Sequence, residues 1–105
     1  MKNIKIFLAG HKGLVGSAIL RKLREKKYTN IILADKKKLN LLDQKKVFNF
    51  LKRKKPKIVI IAAAKVGGIY HNSTRGADFI YENLQIQNNL IHGSYKNNIK
   101  RLIFL

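Results

Sequence analysis

Apolar residues fall into four short unbroken runs, separated by stretches in which they recur every three or four positions. Unbroken runs of four to six suit strands buried on both faces, and the three-to-four spacing suits amphipathic helices. Lys5 to Ala9, with Ile4 before it, reads as a first strand. Leu14, Val15, Ala18, Ile19 and Leu23 then recur at helical spacing, with Arg21, Lys22, Arg24 and Lys26 between them. That spacing predicts one helix of about three turns. Asn30 and the run Ile31-Ile32-Leu33-Ala34 predict a second strand. Asp43 is placed as the N-cap of a helix carrying Val47, Phe48 and Leu51. The single proline, Pro56, stops that helix and opens a third strand, Lys57 to Ala62. Val66 to Asn72 contains Gly67-Gly68 and is predicted as a loop. A long helix is predicted from Asp78 to Lys96, with Ile80, Leu84 and Ile91 on one line and Phe79, Ile86 and Leu90 on the adjacent one. Arg101 to Leu105 reads as a fourth strand.

Strand and helix alternate three times before the last strand. Apolar strands joined by helices predict an α/β fold, a Rossmann-type parallel sheet in the order 3-2-1-4 with helices on both faces. No solenoid repeat and no Gly/Ser- or Pro-rich linker interrupts the chain, so residues 1–105 form one domain. An uncovered apolar strand, Leu102-Ile103-Phe104-Leu105, would invite pairing at its edge. The expectation is therefore that residues 1–105 are the N-terminal piece of a longer protein, with a sheet incomplete at the C-terminus.

The first strand runs straight into Gly10-His11-Lys12-Gly13-Leu14-Val15-Gly16, and the first helix leaves it. A glycine triplet alone is a weak signal; its place between strand and helix is what counts. Gly10 permits a sharp turn, Gly13 a close approach of backbone to pyrophosphate, and Gly16 tight packing of helix on sheet. The N–H groups of the helix's first turn would hold the phosphates. No Gly-Lys-Ser/Thr follows, so the loop is not of the Walker type. Asp35 lies 19 residues past Gly16, where an acid would bond the adenosine ribose and favour NAD. Lys36, Lys37 and Lys38 beside it would attract a 2′-phosphate and favour NADP, and a merely solvated basic turn is the competing reading. Ala62, Ala63 and Ala64 close the third strand with side chains small enough for a ligand to lie across, or for close helix packing.

Charge alters this picture less than its size suggests. Twenty-three Lys and Arg against five Asp and Glu give a net charge of +18. Such a charge fits a nucleic-acid binder. However, 18 of the 23 are Lys, and Ile (14) and Asn (10) are also abundant, three residues with A/T-rich codons. The basic residues also spread from Lys2 to Arg101, so compositional drift is preferred and no nucleic-acid partner is expected. The chain has no cysteine, which excludes disulfides and thiolate metal sites and suits a cytoplasmic setting. His11, His71 and His92 have no partner at ligand spacing, so no metal is expected. The longest apolar run, Ile58 to Ala64, is too short to span a bilayer, and no membrane partner is expected.

Four blocks together carry a resemblance: Phe7 to Ile19, Leu39-Asn40-Leu41-Leu42-Asp43, Ala62-Ala63-Ala64-Lys65-Val66-Gly67-Gly68-Ile69, and Ala77 to Tyr81. They resemble the GDP-L-fucose synthase family of extended short-chain dehydrogenase/reductases, the third block most specifically. The resemblance implies an NADP-dependent oxidoreductase and epimerase. It would epimerise C3 and C5 of GDP-4-dehydro-6-deoxy-D-mannose and reduce the C4 ketone with NADPH. It also implies a GDP-sugar substrate and a homodimer of the full-length protein. Gly10 to Gly16 would hold the pyrophosphate, and Lys36 to Leu41 would line the adenosine end. Lys36 stands where the family commonly has arginine and would meet the 2′-phosphate. NADP(H) is the implied cofactor, and Asp35, which departs from the family pattern, leaves NAD(H) open. Ala62 to Ala64 would lie beside the cofactor, Val66 to Gly68 toward the substrate, and Leu105 would begin a further cofactor-contacting segment. Asn83 matches a helix asparagine that helps organise the family's active site. The family's Ser, its Tyr-x-x-x-Lys pair and its epimerising Cys and His find no match here. Tyr28, Tyr70, Tyr81 and Tyr95 all lack a Lys four residues on. No catalytic residue is therefore assigned, and the 105 residues alone are expected to be inactive. A different nucleotide-sugar epimerase or dehydratase, or a basic nucleotide-binding module without activity, are the competing readings.

Overall fold

The computed structural model describes residues 2–63 and the backbone of 69–105, with side chains from 78 onward except that of 79. The elements are β1 (Ile6–Ala9), α1 (Leu14–Glu25), β2 (Ile31–Ile32), α2 (Gln44–Lys54), β3 (Ile58–Ile61), α3 (Ile69–Lys96) and β4 (Arg101–Phe104). All strand pairs are parallel: Ile6 opposite Ile31, Phe7 opposite Val59, and Val59 opposite Leu102.

β1 and β3 are apolar at every position because both faces of the sheet are covered there, whereas β4 opens on Arg101 and is mostly exposed. Phe7, Ala9, Val59 and Ile61 point to one side, where Val47, Phe50 and Leu51 of α2 and Ile86 and Leu90 of α3 meet them. The Phe7 and Phe50 rings sit 4.9 Å apart there, tilted by 53°. Ile6, Leu8 and Ile60 point to the other side, under Ile19, Leu20 and Leu23 of α1. The Rossmann-type fold with two covered faces is as the sequence predicts.

The strand order is not 3-2-1-4 but β2-β1-β3-β4. The third strand lies beside the first instead of at the edge. Its residues explain the place: Val59, Ile60 and Ile61 are buried, whereas the two-residue β2 is only half-buried, as an edge strand is. The chain turns back after one outward step, so the ends of β1 and β3 are neighbours and form the topological switch point.

Two further expectations change. α3 begins at Ile69, so 69–72 are helical and not loop, while Val66, Gly67 and Gly68 lie outside the described residues. The helical face of α1 is also displaced. Leu14 and Val15 are 89% and 52% exposed and Ala18 is exposed, so Ile19, Leu20 and Leu23 carry the packing. On α3, Ile86 and Leu90 are core, while Ile80, Leu84 and Ile91 are exposed.

Helix boundaries follow local chemistry. The Asp43 carboxylate accepts from the Lys46 N–H at 3.1 Å and caps α2 as predicted. α1 closes with Lys27 at φ 70, where the Tyr28 N–H returns to the Leu23 carbonyl at 3.0 Å. α2 closes with Lys55 at φ 51 just before Pro56. Basic residues fill the last turns, Lys22 and Arg24, then Lys52, Arg53 and Lys54, then Lys96. There they suit the negative end of each helix dipole. Among the described residues, no helix is long and apolar enough to cross a membrane.

One buried amide ties α3 to the chain entering α2. Asn89, 1% exposed, donates through Nδ2 to the Leu41 carbonyl at 2.8 Å and accepts at Oδ1 from Gln85 Nε2 at 3.2 Å. Asn89→Leu keeps the volume but strands that carbonyl, and should cost about 1–3 kcal/mol in urea unfolding of the full chain. A loss under about 0.5 kcal/mol would show that the Leu41 carbonyl has another partner.

Candidate functional site

β1 ends at a place where three backbone segments touch. Gly10 has φ +91, a conformation disfavoured for any residue with a side chain. A methyl group on it would also lie 2.6 Å from the Ala63 Cα and N, at the end of β3. A methyl on Gly16 would overlap the Gly10 carbonyl outright. These two glycines therefore answer to the protein's own packing: they let α1 start directly over the β1–β3 junction.

Gly13 differs. A methyl there would meet only the Gly10 carbonyl oxygen, at an ordinary 3.6 Å, and its φ of −75 suits any residue. The fold does not need glycine at 13; a ligand approaching the backbone would. The loop is held by Gly13 N–H to the Gly10 carbonyl at 3.2 Å and Ser17 N–H to the Gly13 carbonyl at 2.8 Å. Gly13 is the N-cap of α1, with no side-chain hydrogen bond and no acid in the first turn. An uncapped helix start with aligned N–H groups is an anion site in waiting.

The remaining predicted residues divide by position. His11 is half-buried, and Lys12, Leu14 and Val15 are exposed around the loop. Ala62 and Ala63 are half-buried at the end of β3, with the Ala62 N–H on the Ala9 carbonyl at 2.9 Å. Leu105 follows β4 and donates its N–H to the Ile61 carbonyl at 3.2 Å, which brings it to the same edge. Ala64 lies outside the described residues. Lys36, Lys37, Lys38 and Asn40 are exposed on the turn after β2. Leu39, by contrast, is 4% exposed and belongs to the core, and Leu41 packs against the same cluster. Asn40 shapes the chain by accepting the Leu42 N–H at 3.1 Å. Asn83 lies half-buried on α3.

Asp35 is spent on its own turn. Its Oδ1 accepts the N–H groups of Lys37 and Lys38, both at 3.1 Å, and its Oδ2 lies 3.7 Å from Lys12 Nζ. The Lys38 N–H is the main influence holding the Asp35 carboxyl below its ordinary value. Partial desolvation opposes it; the Lys12 charge, the Lys37 N–H and the Lys38 charge add to it. Spacing along the sequence located Asp35 but could not give the direction of its carboxylate. Asn89 went unnoticed for a different reason. It falls on the buried stripe of α3 with Ile86 and Leu90, and a polar residue on such a stripe is the signal that would have found it.

An open groove of about 630 Å³ lined by Gln44, Gln85, Asn88, Asn89, Ile91, His92 and Tyr95 shares no residue with the glycine loop. The loop's own chemistry is exposed N–H groups, lysines and a switch point, which together define a Rossmann-type nucleotide-binding protein. The chain belongs to the NAD dependent epimerase/dehydratase family, whose model matches residues 6–105. It is 55% identical over 104 residues to GDP-L-fucose synthase 1 of Arabidopsis thaliana, covering 99% of this chain and 32% of that protein. Among solved structures, DdhaC superposes with a TM-score of 0.96 at 50% identity, covering 99% of this chain and 30% of the other. The GDP-mannoheptose C4 reductase MlghC of Campylobacter jejuni, solved with NADP bound, superposes at 0.93 with 43% identity, covering 99% and 33%. The chain thus spans about a third of the length of these relatives.

Gly16 and Gly13 separate by experiment. Gly16→Ala should destabilise the full chain by at least about 2 kcal/mol, because backbone must move. Gly13→Ala should stay within about 0.5 kcal/mol of the parent. Equal losses in chemical unfolding would remove the distinction. The Asp35 turn gives a pH prediction. A carboxyl depressed in the folded state stabilises above its unfolded value, and the contribution is lost as pH falls through the folded value. The Lys37 and Lys38 amide NMR shifts should therefore move with a midpoint below the ordinary aspartate value, and a midpoint at or above it would count against the turn.

Proposed function

We propose that the chain is the NADP(H)-binding part of a GDP-L-fucose synthase. The observation that carries this is the 55% identity to such an enzyme across nearly the whole chain, glycine loop included. On this reading the full-length enzyme epimerises C3 and C5 of GDP-4-dehydro-6-deoxy-D-mannose and reduces its C4 ketone. The bound nicotinamide would supply the hydride for that reduction.

The residues present fit the cofactor. The uncapped start of α1 would take the pyrophosphate, with Gly13 leaving it room and the loop residues His11 to Val15 around it. Lys36 would take the 2′-phosphate, with Lys37 and Lys38 adding charge and Leu39 to Leu41 shaping the adenosine end. Ala62 to Ala64 and Leu105 would flank the cofactor along the carboxyl edge. Within these 105 residues no side chain is assigned a proton-transfer role, so the chain's part is to bind and orient. The exposed line of Ile80, Leu84 and Ile91 supports a homodimer of the whole protein, and the chain's composition supports a cytoplasmic one.

A second reading has its own support. The 43% identity to a GDP-mannoheptose C4 reductase favours reduction of another GDP-linked sugar by the same site. The two separate on substrate. The full-length protein with NADPH should form GDP-L-fucose from GDP-4-dehydro-6-deoxy-D-mannose; turnover of a 4-keto GDP-heptose alone would select the second reading. Gly13→Ala should weaken NADPH at least about tenfold, worth 1.4 kcal/mol, while the fold persists. Lys36→Ala should lower the preference for NADPH over NADH, and an unchanged ratio would remove Lys36 from the 2′-phosphate.

A further inference from the structure

An acid after the second strand of a nucleotide-binding sheet has two possible uses. With both oxygens turned outward it can accept from a ribose diol, which favours a cofactor without a 2′-phosphate. With its oxygens turned back onto the chain it becomes a piece of the turn. The contacts of Asp35 decide between them. Oδ1 is shared by the Lys37 and Lys38 N–H groups. Oδ2 faces the Lys12 ammonium of the glycine loop. The backbone carbonyl of the same residue accepts the Lys38 and Leu39 N–H groups at 3.0 and 2.9 Å. The turn is thus tied at one end by Asp35 and anchored at the other by Leu39 in the core.

We propose that Asp35 is a positioning residue that builds the 2′-phosphate end of the dinucleotide site and does not read the ribose. The inference rests on the dinucleotide reading of the loop. Its consequence is that Lys36, Lys37 and Lys38 are displayed together on a stapled turn. Lys12 comes from the glycine loop to the same carboxylate, so the two loops that would meet the adenosine ribose are joined through Asp35. The negative charge that would repel a phosphate is matched by Lys12, and the other three lysines remain in excess. The charged state is secure, since its contacts hold the carboxyl below its ordinary value.

Two substitutions at this position test the proposal in the full-length protein. Asp35→Asn keeps an oxygen for the Lys37 and Lys38 N–H groups and removes only the charge. Asp35→Ala removes the staple. Dissociation constants for NADPH and NADH are read by fluorescence titration, with thermal melting to verify the fold. Asp35→Ala should weaken NADPH about tenfold and NADH less than about threefold. Asp35→Asn should hold NADPH at parental affinity or tighter. If both variants tighten NADPH and weaken NADH, Asp35 reads the ribose and the proposal is overturned. It is equally overturned if Asp35→Ala leaves both constants unchanged. If the parent itself binds neither dinucleotide, the dinucleotide reading fails first, a result distinct from either pattern in the variants.

Discussion

Everything at the carboxyl edge of the sheet depends on one steric constraint, the approach of three backbone segments with no side chain between them. Gly16 of α1 lies on the carbonyl of Gly10, and Gly10 lies on the end of β3 at Ala62 and Ala63. The first contact fixes where α1 begins, and so aims its free N–H groups over the sheet. The second brings β3 beside β1, and so creates the switch point at which a ligand can lie. Neither contact involves the ligand. The binding edge is a by-product of packing, and only Gly13 is left over as a residue the packing does not explain.

The elements themselves were legible because each had one strong local cause. Alternation of side chains across the sheet requires Phe7 and Ile6, or Val59 and Ile60, to be apolar alike when both faces are covered. Asp43 and Pro56 mark the ends of α2 by chemistry that needs no tertiary context. The strand order was less legible, since a buried strand has the same composition in either interior position. The clue was relative: seven unbroken apolar residues at 58–64 against four at 31–34. The start of α3 was hidden by Asn72, Ser73, Thr74 and Gly76, whose weak helix propensity argues against a helix there. Leu14 and Val15 fit the helical period yet face outward.

The candidate site was legible as a list of positions and illegible as a set of directions. The spacing of Gly10, Gly13 and Gly16 is meaningful because backbone has no side-chain rotamer to choose. Asp35 and Leu39 do have that choice. One turns back to hold its own turn and the other enters the core, although Leu39 sits within the stretch assigned to the adenosine end and Asp35 directly precedes it. Residue type and spacing alone would have read the first as a selector of the unphosphorylated cofactor. Hydrogen-bond partners reverse its meaning.

The lysines introduce a matter of rates. A parallel sheet with helical crossovers sends the last turn of every helix to one end of the molecule, and that is where Lys22, Arg24, Lys52, Arg53, Lys54 and Lys96 stand. The glycine loop and the lysines at 36–38 stand at the other. An anion diffusing toward these 105 residues, whose net charge is +18, is drawn to both ends, so their long-range attraction raises the frequency of encounter without orienting it. Orientation is settled at contact, within the few ångströms over which N–H groups act. At physiological ionic strength, where the field decays over about 8 Å, the first effect fades and the second persists. A protein built this way trades speed against salt while its geometry of capture stays the same.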